Sequence, residues 1–128
     1  MKGWLGKAYT DFKILQVLIN SQGELITDGV CFHSQQCVEK FLKCFLIEKN
    51  KKFDETHNLN YLRMLCIEID SDFAKFDFDI LRPYAVQIRY GNDLYVPSDK
   101  EALEAYNLAT NLKNFVLEKL NVPESDLK

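Results

Sequence analysis

Few side chains in this sequence can do chemistry, and each has a plainer role to be weighed against it. There are two histidines, His33 and His57. An imidazole exchanges protons near neutral pH, so each is a candidate acid or base. His33, however, lies at the edge of an apolar arc, where core or interface partners satisfy such a ring. His57 stands in a helix-entry turn, where histidine makes local hydrogen bonds. The cysteines are Cys31, Cys37, Cys44 and Cys66. None forms a CxxC pair, and with Phe, Val and Leu as neighbours they read as small buried hydrophobes rather than metal ligands. Lys49, Lys51 and Lys52 can hold phosphate. They also suit the negative end of a helix, and no aromatic platform is interleaved with them. Asp70, Asp72, Asp77 and Asp79 alternate with Phe73, Phe76 and Phe78. Lacking the glycine and terminal glutamate of a calcium loop, they read as a capped connection with hydrophobic anchors. No metal site is expected. Arg89, in IRYGNDLYVPSD, can grip a phosphate with its planar guanidinium. It serves equally well in a pair with Asp93 or with an acid across a dimer interface. Tyr84 and Tyr90 can stack on a base or fill a core.

The elements that position these residues are helices. Cys31–Ile47 is the centre: at about 100° per residue, Cys37, Val38, Phe41, Leu42, Cys44 and Phe45 share one arc, while His33, Gln36, Glu39, Lys40 and Lys43 take the other. An apolar stripe this wide needs more than one neighbour. Thr27 or Asp28 is expected to cap this helix, which runs to about Lys49, with Glu39 and Lys43 as an i,i+4 pair. Before it, Leu5, Ala8, Phe12, Leu15 and Ile19 predict a helix from Trp4 to Asn20, ended by a cluster containing Gly23. After it, Leu59, Leu62, Met64, Leu65 and Ile69 predict a third helix, capped by Thr56 or Asn58. A fourth spans about Ile80 to Tyr90, with Pro83 in its first turn. Ser98 and Glu101 have capping-box spacing and open a fifth, along an Ala102–Ala105–Ala109–Leu112–Val116 seam. Residues 119–128 are expected to fray. The prediction is an all-α, up-and-down four-helix bundle with an additional short helix, in a single domain over 1–128.

The totals agree. A chain of 128 residues buries a core without staples, and a net charge of −3 argues against a broadly basic nucleic-acid binder. No apolar run reaches the roughly 20 residues of a membrane span, and the N-terminus lacks a secretory signal. A cytoplasmic location, without membrane partners, is expected.

Four phrases stand in order: FHSQQCVEKFLK, THNL, YAVQIRYG and EALEAYNLATNLKNFV. Together they resemble the HEPN family, the higher-eukaryote and prokaryote nucleotide-binding domain. The resemblance implies a helical bundle that pairs into a homodimer, a nucleotide or RNA ligand, and a minimal nucleotidyltransferase as partner in toxin–antitoxin or stress-response systems. It implies no cofactor. Active members are metal-independent endoribonucleases with an Arg-x4-6-His motif. Arg89 matches the arginine, but Leu94, Tyr95 and Val96 stand where the histidine belongs, and no histidine follows. Catalytic candidates are therefore Arg89 with His33, His57 or Tyr95. Candidates for nucleotide or RNA contact are Arg89, Tyr90, Tyr84 and Lys40. The resemblance with its missing imidazole implies a binding module that has lost catalysis. An endoribonuclease of altered motif is the alternative.

Overall fold

The computed structural model describes residues 2–84 and 96–128. Among them are four α-helices, α1 (Lys2–Asn20), α2 (Thr27–Glu48), α3 (Leu59–Ile69) and α4 (Asp99–Leu120), and no strand. Short 3-10 helices cover Ser71–Lys75, Asp79–Tyr84 and Glu124–Asp126. The molecule is an all-helical bundle built around α2, which packs against α1, α3, α4 and the Asp79–Tyr84 turn. The expected apolar arc of α2 is wholly buried, from Cys37 to Phe45.

Leu5, Ala8, Phe12 and Leu15 bring α1 onto α2, and Ala102, Ala105, Ala109, Leu112 and Val116 bring α4 there. Three of those α4 positions are alanine, whose small side chains allow close approach. Phe73 wedges between α2 and α4, its ring 4.6 Å from Phe45 and 4.9 Å from Phe115, centroid to centroid. Burying one such side chain is worth about 1.5–3 kcal/mol, so Phe73 fastens an otherwise polar connection to the core. Phe76 and Phe78 are buried as well. Asp70 accepts from the Asp72 amide, and Asp77 from that of Asp79. The aspartate-rich stretch is thus the anchored, capped connection its composition suggests.

Helix ends follow local chemistry, with corrections. Asn58 caps α3, taking the Tyr61 amide, while Thr56 accepts from Asn58 itself. The Ser98–Glu101 capping box forms at α4. The N-cap of α2 is Ile26, not Thr27 or Asp28, and it makes no side-chain cap bond. Asp28 lies in the first turn and accepts from Gly29, where its charge still suits the helix dipole. On α3, Met64 and Ile69 are exposed and Cys66 takes the inward position. Of the expected fourth helix, the described part is the 3-10 turn Asp79–Tyr84 with Pro83 inside it; the remainder, 85–90, lies outside the described residues.

All four thiols are free and buried. Burial pushes Cys31 up to about 11, opposed by a hydrogen bond from Tyr84, and pushes Cys44 and Cys66 up to about 12. Cys37 rises for the same reason. These are packing residues.

Residues 119–128, expected to fray, are tied back instead. Asn121 ends α4 in the left-handed conformation at φ 56°, and Glu124 accepts from Tyr9 and Lys113, each at 2.8 Å. Lys113 is buried, with its ammonium 3.8 Å from the centre of the Phe12 ring. Desolvation would raise the Glu124 carboxyl, but the bonds from Lys113 and Tyr9 outweigh it and hold the group below its ordinary value.

Candidate functional site

Gln35, Glu39 and Lys43 recur at four-residue steps and so share one face of α2. The helical wheel assigns Glu39 and Lys43 to the polar arc, yet both are buried. Glu55 and His57, in the connection from α2 into α3, lie against them. A charge taken out of water needs a partner and hydrogen bonds, and here Glu39 gathers three groups. Lys43 donates at 3.0 Å, Gln35 at 3.2 Å, and His57 Nδ1 lies 3.0 and 3.2 Å from the two carboxylate oxygens. Gln36 donates to Gln35, extending the chain of bonds. Lys43 also reaches Glu55 at 3.5 Å. The carboxylate side chain is 4% exposed, whereas the imidazole it holds is 59% exposed. With Nδ1–H donated to Glu39, the other ring nitrogen, Nε2, is left for an outside partner.

His57 stands on the rim of a groove of about 630 Å³, within the size range of small-ligand sites. Asn58, Asn60 and Arg63 join it from the start of α3, and Asp77, Asp79 and Arg82 line it from the segment after Ala74. Arg63 donates through Nε to the Phe76 carbonyl and through Nη2 to that of Ala74, which fixes its guanidinium. The fully buried Gln35 also lines the groove. Among the described residues, no group of three or more His, Cys, Asp or Glu side chains is placed to hold a metal ion.

A second cluster joins α1 to α2. Asp11 takes His33 Nδ1 at 3.0 Å and Lys40 Nζ at 2.7 Å. His33 is thus a satisfied histidine at a helix interface, beside the edge of Phe32, and Lys40 already has a carboxylate. Tyr84 ends its 3-10 helix half-buried against the core. It lines a smaller cavity, about 390 Å³, with Glu101 and Glu104. Arg89, Tyr90 and Tyr95 lie outside the described residues. The lysine run is dispersed: Lys49 lies over the Phe45 ring and Lys51 is 3.7 Å from Glu68.

Sequence reasoning weighed His57 but missed Arg63 and Arg82, and missed that Glu39 reaches His57. One signal was available. Gln35, Glu39 and Lys43 belong to FHSQQCVEKFLK and His57 belongs to THNL, so the first two phrases behind the resemblance meet in a single network.

A family model described as HEPN domain matches residues 1–120. No curated protein and no solved structure matches the chain.

Proposed function

The chain belongs to the HEPN domain family, and on that premise we propose a homodimeric module that binds a nucleotide or RNA and has lost cleavage. It would work beside a minimal nucleotidyltransferase of the toxin–antitoxin or stress-response type. The observation that carries this reading is where the two imidazoles stand. His33 is on α2, held by Asp11, and His57 is in the connection before α3, held by Glu39. Neither is in the stretch after Arg89, where Leu94, Tyr95 and Val96 occupy the motif's histidine positions. A phenol with an ordinary pKa of about 10 makes Tyr95 a poor proton carrier near neutrality.

Purified protein incubated with labelled RNA, beside an Arg89→Ala control, tests it. The expected result is retention of RNA without cleavage. Cleavage that disappears in the control overturns it and supports the second reading, an endoribonuclease of altered motif centred on Arg89. One observation favours that reading: an exposed imidazole oriented by a buried carboxylate has the geometry of a general base. Sedimentation at micromolar concentration tests pairing, and a monomer counts against the homodimer.

A further inference from the structure

We propose that the groove between the start of α3 and the 74–82 segment is a nucleotide site, with His57 and Arg82 holding the phosphate. It rests on the nucleotide or RNA reading above and builds the ligand's site from described residues alone.

Charge accounting within the bundle is the first ground. Glu39 is already neutralised by Lys43 and bonded by Gln35, so it has partners without the histidine. His57 adds a third contact while its ring stays mostly in solvent. A surface imidazole gripped in this way has one orientation, with Nε2 turned from the carboxylate. Protonated, Nε2 donates to a phosphate oxygen; neutral, it accepts from a hydroxyl.

The walls supply the rest. Arg63 spends Nε and Nη2 on carbonyls, leaving Nη1 without a partner among the described residues. Arg82 is exposed on the Asp79–Tyr84 turn and lines the same groove, where a guanidinium suits a phosphate. The N-terminus of α3 opens into the same space through Asn58 and Asn60, adding the positive end of a helix dipole. Asp77 and Asp79 would repel a bare anion. They suit a ligand that carries donors as well as a phosphate, which a base with an amino group provides. The chemical class is therefore one nucleotide unit with an amino-bearing base, either free or within an RNA strand.

The test uses the full chain with labelled histidine rings, titrated with GMP and separately with a guanine-containing tetranucleotide. His57 ring signals should shift while those of His33 stay in place, giving an internal control. Arg82→Ala should weaken binding about tenfold or more, the scale of one charge-assisted contact, with Lys13→Ala, an exposed lysine on α1, leaving it near the parent value. Saturation by GMP identifies a free nucleotide, and saturation by the tetranucleotide alone identifies a strand; either supports the site. Binding that Arg89→Ala abolishes, with His57 and Arg82→Ala silent, overturns this groove and leaves the nucleotide-binding reading standing. Absence of binding by either probe overturns both.

Discussion

Two clusters on α2 use the same three groups and differ in access. In one, Asp11 holds His33 and Lys40; in the other, Glu39 holds His57 and Lys43. Each carboxylate is buried and each histidine is bound through Nδ1 at 3.0 Å. The first cluster clamps one helix to another, and its lysine is 33% exposed. The second lies under a loop, its lysine only 7% exposed and its imidazole on the rim of a groove. Residue types alone do not separate a clamp from a site. What encloses the lysine and what lies beyond the imidazole do.

Glu39→Ala gives the largest expected effect. Among the described residues it leaves the buried Lys43 ammonium only the long contact to exposed Glu55, and stability to urea should fall by about 3–5 kcal/mol. Asp11→Ala frees a lysine that reaches water and should cost about 1–2 kcal/mol. Equal losses would break the contrast. A carboxylate with no imidazole sharpens it next. Glu124→Gln removes the counter-charge of Lys113, for an expected loss of about 1–3 kcal/mol near neutral pH. The folded Glu124 carboxyl lies below its ordinary value of 4.5. Its stabilisation is therefore complete above that value and is lost as pH falls through the folded one. Urea curves of parent and variant should converge on acidification, and a constant gap would contradict the assignment. The smallest effect has the opposite sign. The Ser34 hydroxyl is buried on α2 without a hydrogen-bond partner among the described residues. Ser34→Ala should raise stability by up to about 1 kcal/mol, read as a higher denaturation midpoint.

Much of the bundle was legible because one-helix periodicity reports which face is dry. The α2 arc, the α4 alanine seam, the Asn58 and Ser98 caps and the packing cysteines all follow from spacing and residue type. The site was less legible for the same reason. A wheel drawn for α2 alone turns Glu39 and Lys43 to solvent, since it contains no loop to cover them. His57 lies 18 positions from Glu39, and Tyr9 lies 115 from Glu124. No local pattern spans such distances. The expectation of fraying after residue 119 failed because charged composition does not reveal that Glu124 is the counter-ion of a buried lysine.

The sealed thiols make the protein its own clock of opening. A maleimide cannot reach Cys37, at the middle of α2, while the helices stay closed around it. The rate at which that sulfur is alkylated in native buffer therefore counts excursions of the whole bundle. Any ligand that lowers that rate has engaged the closed form.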